Sequence, residues 1–433
     1  MLRTIDLRGR ALSPAEFLAV VPRADAARDE ALATAARIVD DVARRGEDAL
    51  REQAATFDRV SDHAIAVPAA HLDEALEDLD PGIRAALDEA IRRVCAASAA
   101  QIPAPTVTEL GPGARVTQRW QPVRRVGLYV PGGKAVYPSS VVMNVVPAQV
   151  AGVREVALAS PPQAEFGGRV HPVILAAAKL LGVTEVYAMG GAGAIGAFAW
   201  GVPSLGLDPV DVVTGPGNNF VASAKRAVAG RVGTDSEAGA TEILIVADDS
   251  ADPALVAADL VSQAEHDEQA SAVLVTDAPG LADAVRAALE PRVAGTRHAE
   301  RVRAAFGGPQ SAIVLVDDIA QATAFSNAYA PEHLELHLAD ARPDEYVNAG
   351  AVFVGPYTPV SLGDYLAGSN HVLPTGGQSR YSAGLSAATF LRPQQVVEYD
   401  RGALEAVHES IVTLAEAEAL PAHGEAVTAR FAD

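Results

Sequence analysis

From Val126 onward the sequence repeats one unit: a short apolar run, a Gly-rich turn, then an amphipathic stretch. VGLYV leads into PGGKAVYPSSVVMNVVPAQVAG, EVALAS is followed by HPVILAAAKLLG, TEVYAM by GGAGAIGAFAWG, and DVVTG by PGNNFVASAKRAVAG. Strands separated by helices of this length point to a parallel sheet with helices on its faces, because parallel neighbours need a long crossover. The rhythm resumes past residue 240 with EILIVADD, a helix opened by Asp252-Pro253, then SAVLVTD, AIVLVDD, LELHL and AVFVG. Two α/β sheets are therefore expected. Before them, residues 24–101 are Ala-rich with apolar positions at helical spacing, and read as helices that cover the second sheet. From about Arg392 the chain reads as a long helix, ALEAVHESIVTLAEAEAL, with a tail of the kind that docks on a neighbouring subunit.

Composition narrows the function. The 433 residues suffice for two or three folded units or one interleaved one. With 34 basic against 55 acidic residues, the net charge of −21 disfavours nucleic acid and anionic membrane as partners. Apolar stretches are interrupted well short of ~20 residues, so neither a membrane span nor a signal peptide is expected. A single cysteine, Cys95, rules out an internal disulfide and thiolate zinc clusters, and suits a reducing cytoplasm. It lies in the helical pattern LDEAIRRVCAASAAQ and reads as a structural thiol with no catalytic role. Any metal must be held by His, carboxylate or amide oxygen.

Several residues stand where chemistry needs them. Gln263 and His266 share a face near the end of DPALVAADLVSQAEHDE and can reach one metal, although a solvated helix end fits the same residues. Glu332 and His333 follow Pro331 at the mouth of a strand, as an acid/base pair or as a surface turn. His333 and His337 fall at period-two spacing, which allows a two-His metal site but more readily places His337 on the outer face of the strand. In TPVSLGDYLAGSNHVLPTGG, Asp364 is either a hard oxygen ligand or a turn-capping residue, and His371 lies on the same functional-looking loop. Gly191 to Gly196 formally satisfy the dinucleotide fingerprint, and the turns VPGGKAVYPSS and VTGPGNNF are further candidates for a nucleotide or phosphate site.

Taken together, GLYVPGGKAVYPSSVVMNVVPAQVAGV, VTGPGNNFVASAK, AADLVSQAEHD, APEHLEL, NAGAVFVGPYTPVSLGDYLAGSNHVLPTGG and SRYSAGLS resemble the histidinol dehydrogenase family, in family order from about residue 30 to the C-terminus. The resemblance implies an α/β fold of two Rossmann-like parallel-sheet domains, of incomplete dinucleotide-binding type, with small N- and C-terminal helical extensions. The expected organisation is an N-terminal segment over 1–24, a large domain from 25–125 plus 240–385, an NAD-binding domain over 126–239, and a tail over 386–433 reaching a partner subunit. It implies oxidation of L-histidinol to L-histidine through histidinal in two NAD-dependent steps, the last of histidine biosynthesis, in a cytoplasmic homodimer with one Zn2+ per subunit.

Residue by residue, Gln263, His266, Asp364 and His423 match the family's zinc ligands, and Glu332 and His333 its catalytic pair. Thr241, His371 and Glu418 correspond to substrate-binding positions, with Gln263, His266, His333, Asp364 and His423 also beside the substrate. Tyr129, Gly193 and Asn218 correspond to the cofactor site, and His423 and Glu418 are expected to complete the partner's site. A neutral His333, with its pKa near working pH, serves as base in both oxidations, and Glu332 activates the hydrating water. Zinc is expected to orient the substrate rather than take part in hydride transfer. Two positions depart from many relatives: Gly193 stands where Gln is common, and Ala240-Thr241 where Pro-Ser is common. Gly193 makes the GxGxxG match accidental and puts a cofactor contact in question. Other readings are a non-catalytic relative that kept the fold, and a zinc-dependent dehydrogenase of another amino alcohol or diol.

Overall fold

The repeated strand-and-helix unit becomes two parallel sheets in the computed structural model, which describes residues 2–23, 28–132, 136–237 and 239–432. The chain opens with β1 (Arg3–Asp6) and α1 (Pro14–Val20), whose start is fixed by Ser13 and Glu16 each accepting the other's backbone N–H. Helices α2 (Arg28–Arg45), α3 (Glu47–Gln53), α4 (Ala69–Glu77) and α5 (Pro81–Ala100) follow, with a π-helical turn over Ala54–Asp58 directly after α3. Next come β2 (Thr106–Gly111) and β3 (Ala114–Pro122), then β4 (Arg125–Tyr129), α6 (Pro138–Ala151), β5 (Glu155–Ser160), α7 (Pro172–Leu180), β6 (Glu185–Ala188), α8 (Gly191–Trp200), β7 (Val212–Thr214), α9 (Asn219–Val228) and β8 (Gly233–Thr234). The later half comprises β9 (Glu242–Ala247), α10 (Pro253–Ala264), β10 (Ser271–Thr276), α11 (Pro279–Gly295), α12 (Ala299–Gly307), β11 (Ala312–Leu315), α13 (Ile319–Tyr329), β12 (His333–His337), β13 (Ala351–Val354) and α14 (Val360–Tyr365). The chain ends with β14 (Leu391–Tyr399), α15 (Arg401–Ala417) and α16 (Pro421–Thr428).

Both larger sheets are parallel and reverse their strand order partway, β6-β5-β4-β7-β8 in one and β1-β11-β10-β9-β12-β13 in the other. By internal packing they belong to one unit, residues up to Gln101 with Arg124–Phe390. A second unit joins Ile102–Val123 with the chain from Leu391 onward, around the antiparallel sheet β14-β3-β2. No described helix is long and apolar enough to cross a membrane.

Two expectations need correcting. Helices α2–α5, expected to belong with the 240–385 sheet, pack on α6–α9 instead, because those helices present small, apolar faces. The Gly193 and Gly196 pair shows why: a Cβ at Gly196 would lie 3.2 Å from Val39 Cα, so its absence lets α2 close on α8. The stretch from Arg392, expected to be helical at once, first forms β14 against β3. The N-terminal segment contributes β1, which pairs with β11 at the sheet edge, and the helix α1. The central residues of the VPGGKAVYPSS turn, 133–135, lie outside the described residues.

Candidate active site

Glu332 and His333 sit where α13 ends and β12 begins, a junction made by Ala330 in the left-handed region (φ 50°) followed by Pro331. Both side chains are buried. Glu332 Oε2 accepts the Thr241 hydroxyl at 2.6 Å and the Glu242 N–H at 2.8 Å, and stands 3.4 Å from His333 Nδ1. Thr241, just before β9, in turn accepts Gln263 Nε2 at 2.5 Å from the end of α10. The structure thus links four of the expected residues, Gln263, Thr241, Glu332 and His333, in one hydrogen-bonded row. Gln263 is buried, not solvated.

His333 has unequal ring nitrogens. Nδ1 lies 3.1 Å from the Glu242 carbonyl, which can only accept, so Nδ1 carries a proton. Nε2 is buried, has no protein partner, and belongs to a residue lining the cleft. Burial opposes the charged ring, but the adjoining Glu332 carboxylate, aided by Asp364 and the Glu242 carbonyl, overrides it and raises His333 to about 9. The expected pKa near working pH is therefore corrected upward, because two carboxylates face this ring. Behind it, Glu242 ion-pairs with Arg23 and accepts the Gly376 N–H at 3.0 Å.

Asp364, at the end of α14, and His266, just beyond α10, line the same cleft of about 840 Å3 as Thr241, Glu332, His333 and His371. With Gln263 one turn before His266 and its amide N–H already engaged by Thr241, the amide oxygen, an imidazole and a carboxylate remain as N/O donors, a set suited to zinc. His371 holds Asp364 in place: Nδ1 donates to the Asp364 carbonyl at 2.8 Å, and Nε2 meets the Ser140 hydroxyl at 3.0 Å. Both ring nitrogens are engaged, and burial lowers its pKa despite nearby Asp364. Sequence reasoning missed Ser140, whose only signal was its place in a turn already flagged. Glu418 and His423 lie in the smaller unit, at the end of α15 and in α16, both exposed. Cys95 lies on α5, is partly buried and does not line the cleft.

Among the described residues, one group of three His or acidic side chains brings its donor atoms together, and it is not the expected set. It is Asp259, Glu335 and His337. His337 is buried, correcting its expected place on an outer face.

The cofactor candidates gather at the C-terminal edge of the five-stranded sheet, around the β4/β7 reversal where α/β proteins hold nucleotides. Buried Tyr129 accepts the Gly191 N–H at 3.1 Å, and burial pushes its phenol up to about 12. Asn218 caps α9 through Oδ1, which accepts from Phe220 and Val221, leaving its NH2 group for a ligand. A side chain at Gly193 would overlap Gln53 Oε1, so the amide of Gln53 takes that place in the cleft wall. The Gly215–Asn218 turn is fixed by buried Lys225, which reaches the Gly215 carbonyl at 3.0 Å, Asp235 at 2.5 Å and the Ser236 carbonyl at 2.8 Å.

Residues 21–431 match the model of the histidinol dehydrogenase family. The histidinol dehydrogenase of Leifsonia xyli subsp. xyli is 64% identical over 432 residues, 99% of each chain. That of Thermobifida fusca is 58% identical, covering 100% of this chain and 98% of its own. The crystal structure of histidinol dehydrogenase from Elizabethkingia anophelis superposes with a TM-score of 0.90 at 30% identity, covering 99% of this chain and 98% of the other.

Proposed function

The chain belongs to the histidinol dehydrogenase family, and on that premise we propose that it oxidises L-histidinol to L-histidine with two NAD, through histidinal, using Glu332 and His333 as its acid/base pair. The observation that carries this reading is the His333 ring, with Nδ1 tied to a carbonyl and Nε2 buried, unpartnered and on the cleft. That asymmetry leaves one nitrogen able to take the carbinol proton as hydride departs. Glu332, held by the Thr241 hydroxyl and the Glu242 N–H, takes in this reading a proton from the water that hydrates the aldehyde. His333 returns its proton to the aldehyde oxygen as the water adds, and so is neutral again to take the hydrate's proton in the second oxidation, with no thiol intermediate needed.

Gln263, His266 and Asp364 are the residues that would hold zinc, with His423 from the partner's tail as fourth ligand. When bound, the ion supplies orientation of the substrate's nitrogens and a positive charge that opposes the rise in the His333 pKa. Thr241, His371 and the partner subunit's Glu418 complete the substrate surroundings in this reading. Tyr129, Asn218 and the Gly193 position face NAD, the hydride acceptor, with Gln53 beside them. A homodimer acting in the cytoplasm fits the same reading.

The test follows NADH absorbance with L-histidinol and NAD, before and after chelation and zinc return. Two NADH per histidinol, lost on chelation and regained with zinc, is the expected result. One NADH per substrate, or none from a folded, zinc-loaded protein, would overturn it in favour of another amino alcohol or an inert relative.

A further inference from the structure

We propose that Arg23, which does not line the cleft, is a positioning residue that fixes the acid/base pair from behind, through Glu242 and the end of α13. The inference rests on the reading of Glu332 and His333 given above. Arg23 lies just beyond α1 and lines a separate polar pocket of about 60 Å3 together with Glu242, Ser271, Thr375 and Gln378. Its side chain is 14% exposed, so most of its polar reach is met inside the protein.

A helix leaves its last carbonyls without an intrahelical partner, and the turn after α13 gives them little help. Ala330 is left-handed without being glycine, and Pro331 has no N–H to offer. Arg23 supplies the missing donor. Its Nη2 bonds the Tyr329 carbonyl and stands 3.4 Å from that of Ala330, while its guanidinium carbon lies 3.8 Å from the centre of the Tyr329 ring. That ring is itself held, with its hydroxyl 2.8 Å from Ser271 Oγ.

The other terminal nitrogen of Arg23, Nη1, pairs with the buried Glu242 carboxylate. Glu242 holds both members of the acid/base pair by its backbone: its N–H reaches Glu332 Oε2 at 2.8 Å and its carbonyl lies 3.1 Å from His333 Nδ1. One planar side chain thus ties the backbone that leads into Glu332 and His333 to the strand residue that orients both side chains. Lysine cannot replace it, because a single ammonium on a flexible stem lacks the fork that meets a carboxylate and a helix-end carbonyl in fixed directions. Since Arg23 and Glu242 stay out of the cleft, losing Arg23 disturbs the reacting geometry and removes no substrate contact.

The test compares Arg23→Lys and Arg23→Ala with the wild type, by steady-state kinetics and by amide hydrogen exchange. In Arg23→Lys, kcat should fall by roughly 10–100-fold, while the KM for L-histidinol and the zinc content stay within about twofold of wild type. In Arg23→Ala, added guanidinium should restore part of kcat and methylammonium should not. An unchanged kcat in folded Arg23→Lys overturns the inference, as does a loss that comes only with lost zinc or a raised KM. In the resting protein, exchange in Arg23→Lys should quicken at Glu242 and Ala330, whose N–H groups bond Glu332 Oε2 and the Ser326 carbonyl, and stay unchanged through α10. Unchanged exchange at both positions overturns the inference without reference to turnover, so a wild type inert toward L-histidinol fails the earlier reading alone. Arg23→Lys keeps the charge and most of the volume, and decides the matter if Arg23→Ala does not fold.

Discussion

The division of labour within one imidazole ring sets the chemistry at the smallest scale. His333 works as a base only when neutral, and its carboxylate neighbours favour the protonated ring, so turnover should rise with pH through that ionisation. Replacing the nearer charge, Glu332→Gln, should move the rising limb of the kcat/KM profile to lower pH, measured on the residual activity with zinc saturating. An unmoved limb would mean that Glu332 does not set the protonation of the base. His333→Ala should lower kcat by roughly 10²–10⁴ with zinc content unchanged, the range general-base removal usually gives.

Among the elements, α9 shows how a buried ion pair can serve geometry rather than stability. The side chains of Lys225 and Asp235 are each 1% exposed, and together they clamp the backbone of the turn that presents Asn218. Lys225→Met leaves Asp235 buried and unpaired, which should cost about 3–5 kcal/mol in a denaturant titration. A loss below about 1 kcal/mol would show that Asp235 simply takes up a proton. The same scale shows what the sequence made legible. EILIVA, SAVLVT and AIVL read as strands because both of their faces are buried, leaving continuous apolar runs. By contrast β2 is exposed almost throughout and β14 on most residues, so neither carries an inward apolar face to read. In HLELH the alternation was visible, but only the burial of both faces shows that its polar side is a second cluster. The Gln263–Thr241–Glu332 row joins residues far apart in sequence, and no local pattern announces it.

For the whole molecule, the separate packing of residues 102–123 with 391–433 leaves His423 and Glu418 outside the unit that carries Glu332 and His333. If the tail serves a partner's site, inactive Glu332→Ala and inactive His423→Ala chains should regain activity when co-assembled, approaching one quarter of wild type for random mixing of two chains with one restored site in each mixed dimer. Mixtures as inactive as their parents would place both residues in one site of the same chain. The pairing of Arg3 with Ala312 has a consequence of another kind, in the order of synthesis. All five strands of the β4–β8 sheet and the helices that cover it have been translated by Thr234, whereas β1 must wait about 310 residues for its neighbour. At ribosomal speeds of ~5–20 residues per second, that is roughly 15–60 s in which β1 has no strand to pair with. The β1 residues are thus made long before the strand they pair with, and a bulky group fused next to β1 would burden the closing of the six-stranded sheet.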